Sequence, residues 1–158
     1  MKKILKLTMV LLGSLFVLLG CSSEAKSEFV FEHNMGKQKI TYVYDKAKDS
    51  VTSLTFDISY DIANNKDMET QIRNLRESIV TEINGIEGVT VTQSDSEKEL
   101  KVTVAVDLKK FKYDDEEGRQ KAPSLYSSIH TALVKKNDIY SFEESKKSIL
   151  DEGFKEVK

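Results

Sequence analysis

The sequence predicts an α+β fold, an antiparallel sheet of about five strands packed by helices on one face, in the order strand, strand, strand, helix, strand, strand, helix, helix. Three observations carry this. Apolar residues recur with period two in two separate groups, a period near 3.6 takes over after each group, and the connections inside each group are of hairpin length, which favours antiparallel pairing over crossovers.

The elements follow in order. Phe29, Phe31 and His33 alternate with Val30 and Glu32, Asn34-Met35-Gly36 supplies a turn, and Ile40, Tyr42 and Tyr44 keep the period of two. That is a hairpin. Asp45 to Ser50 is a polar connection to the clearest strand, with Leu54, Phe56, Ile58, Tyr60 and Ile62 on one face and Thr55, Asp57, Ser59 and Asp61 on the other. One face meets the core and the other meets water. From Met68 the apolar positions run Met68, Ile72, Leu75, Ile79 and Ile83, an amphipathic helix that Asn64 or Asn65 can cap and Gly85 or Gly88 can end. Val89 and Val91 open a second hairpin, turned at Asp95-Ser96-Glu97, whose return strand alternates Leu100, Val102, Val104, Val106 and Leu108. After a charged stretch over 109–121, Pro123 can open a helix carrying Leu125, Ile129, Ala132 and Leu133. Ser141 and Glu144 have capping-box spacing for a last helix through Ile149 and Leu150, Gly153 stands where a stop is expected, and Phe154 docks back on the domain.

Ahead of this domain lies a different kind of sequence. Met1 to Lys6 holds three lysines, and Leu7 to Leu19 is an uninterrupted run of apolar and small residues. These are the n-region and h-region of an export signal, and the run is too short for a spanning helix, which needs roughly 20 residues. Leu18, Gly20 and Cys21 match a lipoprotein processing site, with cleavage after Gly20 and a diacylglycerol accepted by the Cys21 thiol. Residues 1–20 are therefore expected as signal peptide, 21–28 as lipidated cysteine and polar tether, and 29–158 as one α+β domain. A flexible tether of seven residues reaches only about 15 Å, so the domain is expected to work at the membrane face.

Composition narrows the partners. The chain has 158 residues, 39% hydrophobic and 32% charged, sufficient for one core. Removing Lys2, Lys3 and Lys6 from the 24 basic residues leaves 21 against 26 acidic ones, which disfavours a nucleic-acid partner. With Cys21 the sole cysteine and committed to lipid, no internal disulfide is available.

The chain resembles the YehR-like family of small bacterial lipoproteins of unknown activity. The resemblance rests on the signal with Cys21, the Ile83-Asn84-Gly85-Ile86-Glu87-Gly88-Val89 junction, the Val104-Ala105-Val106-Asp107 strand and the closing Leu150-Asp151-Glu152-Gly153-Phe154-Lys155. It implies an α+β lipoprotein domain and carries over one functional residue, the lipid-bearing Cys21.

Motifs for chemistry are sparse. His33 and His130 lie far apart in sequence, and no metal site or resident cofactor is expected beyond the lipid on Cys21. Asp114-Asp115-Glu116-Glu117-Gly118 lacks the alternate ligand spacing of a calcium loop and is expected as a solvated loop. Lys109, Lys110, Phe111, Lys112 and Tyr113 form a candidate surface-contact loop, the lysines meeting anionic lipid or polymer while the aromatics insert; the alternative is that Phe111 and Tyr113 extend the last strand. Asp57 and Asp61 project together as ordinary solvent-facing strand residues, and Tyr42, Tyr44, Phe56 and Tyr60 could line a ligand groove, although their period makes them core first. The expectation is a non-catalytic binding domain, held by its lipid at the exported side of the cell envelope and engaging an envelope ligand or protein there. The alternatives are an envelope-polymer hydrolase, needing convergent polar groups in a cleft, and a carrier of an apolar ligand, needing a cavity between sheet and helix.

Overall fold

The computed structural model describes residues 23–157, in which eight strands and four helices follow one another. They are β1 (Glu24–His33), β2 (Gly36–Asp45), β3 (Ser50–Asp61), α1 (Glu69–Ile83), β4 (Val89–Asp95), β5 (Glu99–Asp107), α2 (Glu116–Lys121), α3 (Pro123–Ala132), β6 (Val134–Lys136), β7 (Ile139–Ser141), α4 (Phe142–Asp151) and β8 (Lys155–Glu156). The main sheet has the order β4-β5-β3-β2-β1-β8 with antiparallel pairing throughout, and the β6–β7 hairpin joins it where Ser141 pairs with Ser50. The α+β class holds, with eight strands instead of about five.

Register follows from the alternation. Tyr42 stands opposite Leu54 and Leu54 opposite Val106, while Ile40 stands opposite Phe56 and Phe56 opposite Val104. These side chains face the helices, and Phe29, Tyr42, Leu54 and Val102 are wholly buried among them. The other face carries Lys39, Thr41, Asp57, Lys101 and Thr103. There the Asp57 carboxylate accepts the Thr103 hydroxyl at 2.6 Å and lies 3.0 Å from Lys101 and 3.4 Å from Lys39. Partial burial pushes its pKa up, but the Thr103 hydroxyl and the two lysines outweigh that and hold it below the ordinary carboxylate range.

Several local expectations are met for the expected reasons. Pro123 occupies the first turn of α3, and the Ser141 hydroxyl accepts the Glu144 N–H at the start of α4. Gly153, at φ +93°, ends that helix, and Phe154 returns to pack 5.5 Å from Phe31. Gly88, at φ +78°, follows α1, and a Cβ there would meet the Phe111 nitrogen at 2.5 Å.

Other expectations are corrected. β1 begins at Glu24, so residues 24–28 of the expected tether are a paired strand; Ser27 lies opposite Tyr42, and the Ser23 carbonyl already accepts the Lys46 N–H at 2.8 Å. Small Ala25 and Ser27 show no hydrophobic period, and their pairing is dictated by β2. In α1, Ile72 and Ile83 are buried but Leu75 is 48% exposed, and Arg76 takes the inward position beside it. Asn64 and Asn65 bond Asp61 and do not cap the helix, which is preceded by a 3₁₀ turn at Lys66–Met68. The acidic run expected as a solvated loop passes into α2, and β6–β7, unexpected, turn through Asn137 and Asp138 at φ 50° and 64°.

A cleft between the helices as candidate functional site

The helices do not tile the sheet completely. α1 lies against β4 and β5, whereas α4 packs on the β1–β2 side through Phe142, whose ring stacks 3.7 Å from Tyr44 and meets Tyr42 edge-on at 5.7 Å. Between them a strip of sheet is left partly uncovered. Phe56 and Ile58 sit on the helix face of β3 between buried Leu54 and Tyr60, yet both are only half-buried.

That strip is the floor of a cleft of about 270 Å³, built from Ile40, Phe56, Ile58 and Val104. Ile79 and Ile83 of α1 form one wall; Leu125 of α3, Ile149 of α4 and Phe154 form the other. Exposed Leu75 lies one helical turn before Ile79 and continues the apolar stripe of the α1 wall beyond the cleft. The rim on α3 is hydroxylated. Ser124, Ser128 and Thr131 follow at intervals of four and three residues, which places them on one face of the helix.

The polar groups are largely committed. The Glu82 carboxylate reaches across from α1 and accepts the Ser124 N–H at 2.8 Å, serving the first turn of α3 and bridging the two walls. Ser128 donates to the Ser124 carbonyl at 2.9 Å, Thr131 to the Ser127 carbonyl at 3.1 Å, and Ser148 to the Thr131 carbonyl at 2.9 Å. Their hydroxyl hydrogens are thus occupied while their lone pairs stay available. Lys39, at the edge of the lining, has its ammonium drawn to Asp57 and Glu28 on the other face of the sheet. The cleft can shelter an apolar chain and accept hydrogen bonds at its rim.

Of the aromatics named as possible groove residues, Phe56 alone lines this cleft. Tyr42 is sealed in the core, its hydroxyl donating to the Ala132 carbonyl at 2.7 Å and its pKa driven up by burial. Tyr44 stacks on Phe142, and Tyr60 belongs to a smaller cluster with Ile62, Ile72 and Leu100. The rim residues that sequence reasoning missed carried one signal, small hydroxyl residues at helical spacing on α3.

In the candidate contact loop the two aromatics pack against the domain, while the three lysines lie at the surface. Phe111 is 5% exposed and packs 5.0 Å from Tyr126, and Tyr113 stacks on His130 at 4.2 Å while its hydroxyl donates to the Leu133 carbonyl. β5 ends at Asp107, so the two aromatics do not extend the strand either; they leave it through a turn closed by the Phe111 N–H on the Asp107 carbonyl and enter the core. Lys112 pairs with Glu87 at 3.1 Å, which raises its pKa, Lys110 lies 3.9 Å from Asp107, and Lys109 is exposed.

The histidines sit apart from the cleft. His33 stacks on Phe31 and accepts the Met35 N–H at 3.3 Å, and His130 lies against Tyr113. A shallow polar depression does bring His33 near Asp61 and Glu99, but both Asp61 oxygens are engaged by Asn64, whose bonds hold that carboxyl below its usual range. Among the described residues no group of three His, Cys, Asp or Glu is placed to hold a metal ion, and no helix is long and apolar enough to cross a membrane. Gly20 and Cys21 lie outside the described residues.

Known proteins match this arrangement by shape. The NMR structure of the Escherichia coli YehR protein superposes with a TM-score of 0.66 at 20% identity, covering 89% of this chain and 94% of that one. The NMR structure of a protein from Streptococcus pneumoniae TIGR4 superposes with a TM-score of 0.58 at 14% identity, covering 89% of this chain and 88% of that one. No family model matches the sequence, and no curated protein matches it either. The expected YehR likeness therefore holds for the fold.

Proposed function

We propose that this chain is an exported lipoprotein, anchored through Cys21, whose α+β domain takes up the apolar chain of a neutral amphiphile at the membrane face without transforming it. The cleft between α1 and α3/α4 carries this reading, since it joins an apolar floor to a rim of free hydroxyl lone pairs. Its volume, about 270 Å³, falls just under the ~300–1,000 Å³ of pockets that enclose whole drug-sized ligands. One chain can enter while the rest of the molecule stays outside. With Glu82 at the rim and the Lys39 ammonium engaged elsewhere, a neutral head group fits better than a carboxylate.

The anchor reading is supported by the charged n-region, the short apolar run and the small residue before Cys21. The early start of β1 sharpens it. Only Ser22 and Ser23 separate Cys21 from Glu24, a span of about 10 Å when fully extended, so a lipidated Cys21 would hold the edge of the sheet against the bilayer.

The test uses the full chain. The unaltered protein should fractionate with membranes, and Cys21→Ala should release it or stall it as precursor; unchanged lipidation and retention would sink the anchor. Uptake is read with the neutral dye N-phenyl-1-naphthylamine. Thr131→Phe, which fills the cleft from its exposed rim, should lower dye affinity at least tenfold with the melting temperature unchanged, and undiminished affinity would remove the cleft from the reading.

A further inference from the structure

The two edges of the main sheet are finished differently. At one edge the chain's own C-terminal segment covers the middle of β1, with β8 pairing at Phe29 and Val30 and the Val157 N–H reaching the Glu28 carbonyl at 2.9 Å. At the other edge β4 runs Val89-Thr90-Val91-Thr92-Gln93-Ser94-Asp95 with no Pro, no Lys and an unbroken register against β5. Of the devices that blunt an edge strand, proline, lysine and a bulge are missing from β4.

The phase of β4 is fixed at both ends. The Gly88 carbonyl accepts the Asp107 N–H, and the Ser96 N–H donates to the Glu99 carbonyl, so even-numbered residues of β4 exchange hydrogen bonds with β5. Val91, Gln93 and Asp95 therefore turn their N–H and C=O groups outward, where they find no main-chain partner among the described residues. Of the seven side chains, all but those of Val89 and Val91 are exposed.

We propose that β4 is a self-association edge, pairing antiparallel with β4 of a second copy about a two-fold axis at Thr92. The strand is its own complement in that register. Thr92 meets Thr92 and Thr90 falls opposite Ser94, hydroxyl against hydroxyl, while Val91 falls opposite Gln93 and Val89 opposite Asp95, so no like charges meet. Asp95, the single charge on the strand, is already neutralised by Arg73 and Arg76 of α1. The pairing supplies about six main-chain hydrogen bonds over a small area, which makes a weak dimer favoured by high local concentration. It is independent of what enters the cleft.

Thr92 would form a non-hydrogen-bonded pair with its own copy, Cα atoms about 4.5 Å apart, within the range a disulfide accepts. The test introduces Thr92→Cys into the full chain with Cys21 retained. Mild oxidation should give a reducible dimer at least tenfold above the unaltered chain and above Thr90→Cys, whose counterpart in this register is Ser94; combining Thr90→Cys with Ser94→Cys should restore the dimer. No dimer from Thr92→Cys, equal cross-linking by Thr90→Cys alone, or capture only of other proteins would overturn the proposal.

Discussion

On the β1–β2 side of the cleft the helices rest on large enclosed side chains, with Tyr42, Phe142 and Ile129 in one continuous core. On the β4–β5 side the first half of α1 rests on Ile72, Tyr60, Ile62 and Leu100, joined by half-buried Ile58 and Met68. Its next inward position is polar. The Arg76 side chain is 7% exposed, bonds Asp95 and Glu77, and keeps a buried Nε that has no partner among the described residues. One wall of the cleft is thus set wholly by packing, while the α1 wall shares that core through Ile79 and Ile83 and leans, at its start, on an ion pair over a small cluster. Because regions with few enclosed apolar contacts open at lower cost, α1 is the wall expected to adjust to an occupant.

Truncation of matched isoleucines is the strongest test of that contrast. Ile129 in α3 is completely buried and Ile72 in α1 nearly so, but their surroundings differ in how readily they can close a void. Ile129→Ala should cost about 4 kcal/mol and Ile72→Ala about 2 kcal/mol, since the cost of a cavity depends on how far the site collapses. Urea unfolding of each variant gives the comparison. Equal losses would mean that the two walls are packed alike.

The fixed wall has a second support in the turn between β2 and β3. Asp49, at φ 52°, accepts the Ser141 hydroxyl at 2.5 Å and the Glu143 N–H at 2.9 Å, and its carbonyl takes the Phe142 N–H. A remote residue thereby serves the first turn of α4 along with the local Ser141 cap. Asp49→Ala removes both acceptors and places an alanine in the left-handed region, for an expected loss of about 2 kcal/mol. Asp49→Asn, which tolerates that backbone and keeps one acceptor, should lose less than about 1 kcal/mol, so near-equal denaturation midpoints for the two variants would show that capping is not what Asp49 contributes.

Legibility in the sequence divides along the same lines. Wherever one side chain sufficed to decide the local structure it could be read: the alternation from Leu54 to Ile62, Pro123 at a helix start, Ser141 with Glu144 at another. It failed wherever a partner distant in sequence decides. Ala25 and Ser27 are strand because β2 pairs them, Phe111 is core because Gly88 lets the turn approach, and Asn137-Asp138 makes a hairpin of three-residue strands too short to show a period. The cleft was legible only through Phe56, because a gap between helices depends on how they are placed on the sheet.

Leu75 is where periodicity and structure part most clearly, and it supports the smallest expected effect. A leucine at that spacing reads as core, and on that reading Leu75→Asp buries a charge and unfolds the domain. At 48% exposure, with Arg76 turned inward in its stead, the aspartate would instead meet water. The cost should stay within about 0.5 kcal/mol, as for surface positions generally. Yet Leu75 continues the α1 stripe past Ile79 toward solvent, where an entering apolar chain would still need cover. The variant should therefore keep its unfolding midpoint while binding N-phenyl-1-naphthylamine several-fold more weakly. Large destabilisation would show that Leu75 turns inward after all, and unchanged stability with unchanged uptake would end the cleft at Ile79.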